Sequence, residues 1–134
     1  MINTVFLFAS INGALAVILG AFGAHGLKGK ITPSLLDAYQ TGTHYHLFHV
    51  LALLCLGLLM MRVASIHDSL PFALKLTAYC WMAGMALFSG SLYGLALGGG
   101  SWLGPVTPVG GLLLIIGWMN LAVAIAKGAV NSSL

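Results

Sequence analysis

The chain contains no glutamate, and its only acidic residues are Asp37 and Asp68. These two fall in different connections between apolar stretches, so a paired-carboxylate acid–base site is not expected. Charge of either sign is scarce. Charged residues make up 5% of the 134 positions and hydrophobic residues 60%, whereas a soluble domain carries roughly 25% charged residues. A surface this apolar would aggregate in water, so the solvent for most of it must be lipid. The formal charge of +3 is small and dispersed, which excludes a basic stripe for nucleic acid. The only cysteines, Cys55 and Cys80, lie in or near apolar segments without CxxC spacing. They read as small buried hydrophobes rather than a disulfide or a metal pair. The first four residues carry no Lys or Arg. The apolar run that follows is long enough to span, so it reads as an uncleaved helix rather than a cleavable signal peptide.

What is present is four long apolar runs separated by the few charges. Spans are expected at about residues 4–22, 45–62, 71–97 and 109–126 of a single transmembrane domain covering 1–134. Each approaches or exceeds the roughly 20 residues that a bilayer core requires. All must be helical, because backbone amides in hydrocarbon need internal partners. The predicted fold is therefore all-α, an integral membrane four-helix bundle. Residues 23–44 form the longest connection. Thr32 followed by Pro33 is a helix start signal. The sequence from Ser34 onward suggests an amphipathic interfacial segment running into span two, bent near Gly42. The third connection is uncharged and rich in Gly and Pro, with Trp102 placed to sit at headgroup level. Thr107 and Pro108 suggest the cap and first residue of the fourth helix.

Four spans put both termini on one side. Arg62, Lys75 and Lys127 favour one face; Lys28 and Lys30 favour the other. The count, with the uncharged third loop placed outside, selects cytoplasmic termini, and the expected location is the cell inner (plasma) membrane. Small residues indicate packing surfaces. Gly90, Gly94 and Gly98 recur every fourth residue and drift by only about 40° per step, forming one ridge suited to close helix approach or a homo-oligomer. Ala9, Gly13, Ala16 and Gly20 offer the same on span one.

Polar groups inside a membrane are the natural functional candidates. His25 lies just past span one, and His44, His46 and His49 lie at the start of span two. His46 and His49 are three apart and share a helix face. Imidazole is a common metal ligand, so His25, His46 and His49 are candidate metal or haem ligands. No Cys or carboxylate completes that set, and the competing reading is hydrogen bonding to backbone or hydroxyls. A second, deeper set comprises Asn12, Ser89, Ser91 and Asn120. Each needs a partner in a dry interior and is expected to face the bundle.

Four motifs carry a resemblance. They are GAFGAHGL at 20–27, DAYQTGTHYHLFH at 37–49, FSGSLY at 88–93 and TPVGGLLLIIGW at 107–118. In this order they resemble the YgdD-like family of small membrane proteins, filed as domain of unknown function 423 with animal mitochondrial relatives. The resemblance covers nearly the whole chain. It implies a four-helix integral membrane protein and no reaction, substrate or cofactor.

The expected function is non-enzymatic binding of a lipid, a small ligand or a membrane-protein partner. It would use a polar seam of His25, His46, His49, Ser89, Ser91 and Tyr93, with Asn12 and Asn120. No cofactor is expected on this reading. The alternatives are a histidine-based metal or haem redox protein and a small oligomeric channel or transporter. An enzyme ranks last, because membrane hydroxyls usually bond their own helix backbone.

Overall fold

A computed structural model describes residues 1–129. Four helices dominate it. α1 runs Ile2–Phe22 and continues through a π turn at Gly23–Leu27. α2 is Pro33–Ala64, α3 is Phe72–Ala96, and α4 is Val106–Ala126. A 3-10 turn at Ser101–Leu103 precedes α4. All four helices are long and apolar enough to cross a membrane.

α2 starts where its local chemistry requires. Thr32 is extended, its hydroxyl accepts from the Leu35 amide at 3.4 Å, and Pro33 occupies the first turn. The segment expected to bend near Gly42 continues as uninterrupted helix. The amphipathic stretch thus forms the opening turns of one 32-residue helix. At 1.5 Å per residue that helix is about 48 Å long, well beyond the ~30 Å hydrocarbon core. The excess carries exposed Asp37, Gln40, Thr41 and His44. Gly42 does not hinge because it serves packing: a side chain there would press on Leu92, Tyr93 and the Ser89 carbonyl of α3. α4 opens earlier than expected, at Val106, with Pro105 rather than Thr107 at the cap position. The Thr107 hydroxyl instead bonds Ser91, as described below.

Each helix packs chiefly on its sequence neighbours, α1 on α2, α2 on α3 and α3 on α4. α2 and α3 form the centre; α1 and α4 flank it. The main core joins Val5 and Ala9 with Leu53, Leu56 and Met60 of α2 and with Leu74, Ala78, Trp81 and Met85 of α3. A smaller cluster of Leu27, Tyr39, Tyr93 and Ala96 closes the other end.

Glycines set the registers. Gly57 faces Phe6, Gly13 faces Val50 and Gly20 faces Thr43, so the small-residue stripe of α1 does pack on α2. On the α3–α4 side, Gly84 lies against Leu114 and the Gly110 carbonyl. Gly110 rides on the Phe88 backbone, and Gly117 makes room for Trp81. The Gly90, Gly94, Gly98 ridge is not a continuous surface. Gly90 faces open space on the helix, Leu103 covers Gly94, and Gly98, also open, lies past the helix end with φ 85°. A left-handed residue there lets the Gly99 amide close back on the Gly94 carbonyl at 2.7 Å.

Candidate functional site

Residues from three helices meet around His46, which is 5% exposed. The α1–α2 register brings Asn12 to its ring. The Asn12 Nδ2 donates to the Phe8 carbonyl at 2.9 Å, which turns Oδ1 towards α2. That oxygen only accepts, so His46 Nε2 must carry the proton in their 3.2 Å bond. His46 Nδ1 is left as acceptor for the Tyr93 hydroxyl at 3.1 Å. For a neutral ring these partners select the Nε2–H tautomer. Next to it, the Ser89 hydroxyl donates to the Gly42 carbonyl at 2.7 Å. The Tyr39 hydroxyl donates to the Leu19 carbonyl at 2.7 Å, and its ring packs on Tyr93 with centroids 4.9 Å apart. The seam ties α1, α2 and α3 together.

His49, one turn further, takes the opposite tautomer and faces α4. Its Nδ1 donates to the Tyr45 carbonyl at 2.8 Å. Its Nε2 accepts the Trp118 indole N–H at 3.2 Å. Trp118 leans on Trp81 with centroids 4.4 Å apart and faces Phe48 across 5.9 Å. Trp81 is buried, and its own indole N–H has no partner among the described residues.

α2 and α4 diverge around this cluster and leave a groove over α3. One compartment of about 600 Å³ has His44 and Tyr45 at its end, Phe88, Leu114 and Ile115 along it, and Phe48, His49 and Trp118 at its inner limit. A second compartment of about 340 Å³ continues beyond Phe48 and Trp118, between Leu51, Cys55 and Leu59 on α2 and Leu121 on α4. Apart from the His44–Tyr45 end and His49, the lining is apolar. Phe48, Ile115 and Trp118 are exposed along it.

The expected seam is therefore divided. Asn12, His46, Ser89 and Tyr93 come together. His49 belongs to the groove. Ser91 accepts from or donates to Thr107 at 2.7 Å and bonds the Phe88 carbonyl at 2.9 Å, so it ties α3 to the start of α4. Asn120 sits apart, donating to the Ala73 carbonyl at 2.7 Å and the Thr77 hydroxyl at 2.8 Å. His25 is exposed in the π turn and does not join His46 or His49. Among the described residues no three His, Cys, Asp or Glu side chains are grouped to hold a metal ion. Both nitrogens of His46 and of His49 are already engaged within the protein. The expected Cys55 burial is also corrected: Cys55 is exposed on the groove, while Cys80 is buried. Sequence reasoning missed Trp118, Phe48 and Tyr45 as site residues. Their spacing is that of any apolar helix, and only the rotation of α4 against α2 brings them face to face.

Residues 19–111 match the family model described as "Protein of unknown function (DUF423)". The chain belongs to this family. Family relatives match over most of their length. The UPF0382 membrane protein YwdK of Bacillus subtilis is 44% identical over 123 residues, 90% of this chain and 94% of its own. The UPF0382 membrane protein SAB0533 of Staphylococcus aureus is 40% identical, covering 92% and 95%. A UPF0382 membrane protein of Haemophilus influenzae is 38% identical, covering 91% and 93%. No solved structure matches the chain. The family match and the four apolar helices make this a multi-pass membrane protein, and the expected family resemblance holds.

Proposed function

We propose that the protein binds a membrane lipid without chemical conversion, with one acyl chain in the α2–α4 groove and the polar part of the lipid at His44 and Tyr45. The observation that carries this reading is the polarity gradient of the groove. Two polar side chains mark one end, and apolar side chains line the continuation as far as Leu59. The groove opens along helices that are long enough to span a bilayer, so a chain reaches it sideways from the lipid. Little hydrophobic energy is gained by moving a chain from bilayer to groove. Retention then rests on close packing against the aromatic walls and on hydrogen bonding at His44 and Tyr45. The His46 seam ties α2 to α1 and α3 behind the groove and is a structural support for that wall.

The test is native mass spectrometry of the detergent-purified protein with added phospholipid. Retained lipid is expected, and its occupancy should fall in Ile115→Trp, which fills the groove from an exposed position. Absence of retained lipid, or equal retention by Ile115→Trp, would overturn the reading.

The charge distribution supports an orientation with both termini cytoplasmic, since Arg62, Lys75 and Lys127 outnumber Lys28 and Lys30. In intact cells a cysteine at Lys30, with Cys55 and Cys80 replaced by alanine, should react with a membrane-impermeant maleimide. One at Lys127 should not. The reverse pattern would invert the topology.

A further inference from the structure

We infer that Trp118 is a chain-length gate in the α2–α4 groove, held shut by His49 and met by Phe48 from the opposite wall. The inference rests on the reading of the groove as a lipid site. The two compartments are consecutive along α2 and share two lining side chains, Phe48 and Trp118. Their rings approach from opposite helices, with centroids 5.9 Å apart, and so partition one trench.

Dimensions decide what this partition does. At 1.5 Å per residue, the trench from His44 to Leu59 is about 22 Å long. The stretch from His44 to the level of His49 is about 8 Å. One leaflet's share of the ~30 Å hydrocarbon core is about 15 Å. A chain anchored at His44 and Tyr45 therefore reaches the Phe48–Trp118 pinch well before a leaflet's length has been used. With the pinch closed the site takes a short chain. With it open the apolar second compartment accepts the remainder.

The closed position has an identifiable restraint and an identifiable escape. Trp118 is held by one hydrogen bond, from its indole N–H to His49 Nε2 at 3.2 Å. Trp81 supports it from the α3 side, with centroids 4.4 Å apart. Trp118 is 40% exposed, so its outer side is open for an outward turn. His49 is itself fixed by its bond to the Tyr45 carbonyl. That bond places the latch in direct succession to the polar end of the groove, on the same helix turn as Tyr45.

The experiment compares retention of dioctanoyl and dioleoyl phosphatidylglycerol by the wild-type chain, Trp118→Ala and Phe48→Ala, using native mass spectrometry at equal lipid concentration. Phe48 is 56% exposed, so its truncation opens the pinch without cutting into the core. The wild type should favour the short chain, with a dioleoyl-to-dioctanoyl occupancy ratio below one. Both variants should raise that ratio above one, while thermal unfolding confirms that they remain folded. An unchanged ratio in Phe48→Ala, with both lipids still retained, overturns the gate and leaves the lipid site standing. Failure of the wild type to retain either lipid overturns both.

Discussion

The indole of Trp118 donates to the imidazole of His49 across 3.2 Å, the single hydrogen bond joining α4 to α2 among the described residues. Backbone packing between these two helices is slight, and both are held chiefly by α3, so this side-chain pair is the bridge across the groove between them. His49 is an effective acceptor because the Tyr45 carbonyl has claimed its other nitrogen and fixed the proton there.

Removing the acceptor should cost more than removing the exposed wall. His49→Ala leaves the Trp118 N–H unpaired and opens space beside Trp81, and should destabilise the protein by about 1–3 kcal/mol. Phe48→Ala should fall within about 0.5 kcal/mol of wild type, as an exposed substitution. Thermal unfolding in detergent, monitored by circular dichroism, distinguishes the two.

The His46 seam should behave as a coupled unit. Asn12→Leu strands the His46 Nε2–H, and Tyr93→Phe removes the donor to Nδ1. Each should lower stability by about 0.6 kcal/mol, the average for hydrogen bonds between membrane helices, and by no more than about 1.7 kcal/mol. Asn12 and His46 are in contact, so Asn12→Leu combined with His46→Leu should be less damaging than the sum of those two singles. A double-mutant cycle from unfolding free energies reads this directly, and strict additivity would contradict the bond.

Glycine positions separate packed from unpacked surfaces. Gly110→Ala drives a methyl into the Phe88 backbone, which cannot yield as a side chain end would. A loss of about 1–3 kcal/mol is expected. Gly90→Ala meets nothing within 4 Å and should be neutral or slightly stabilising in the same unfolding assay. A large effect at Gly90 would reveal a partner helix seated there.

Asn120 is an interhelical tie between α4 and α3. Asn120→Leu removes both donations, to the Ala73 carbonyl and the Thr77 hydroxyl. It should lower the unfolding temperature without altering lipid retention in the groove, because its bonds lie outside that site. A matched loss of lipid binding at unchanged stability would assign it to the site instead.

Some of the site was legible in advance. Asn12 and Ser89 are expected to face inward because an amide or hydroxyl in hydrocarbon requires a partner, while His46 and Tyr93 belong to the expected polar seam near one membrane face. The partners themselves were not legible. Asn12 seemed to belong with Asn120, deep in the bundle, and His46 with His25 and His49. Instead Asn12 meets His46, because Gly57 against Phe6 and Gly20 against Thr43 set the α1–α2 register. His25 stays outside because the π turn leaves it exposed. The ridge at Gly90 looked continuous because periodicity registers spacing alone. The turn at Gly98 and the cover of Leu103 over Gly94 are properties of how the chain folds back.

The sequence by itself determined that this is a four-helix integral membrane protein, and that the chemistry left to it is imidazole, amide, hydroxyl and backbone. Those properties are local: hydropathy sums along the chain, and lipid enforces helix on whatever remains apolar for long enough. Tertiary structure alone decided that α2 and α4 part to leave a groove, and that Trp118 crosses it to His49. Helix rotation and register arise from contacts among residues distant in sequence, chiefly the close approach at Gly84, Gly110 and Gly117, and no local pattern encodes them.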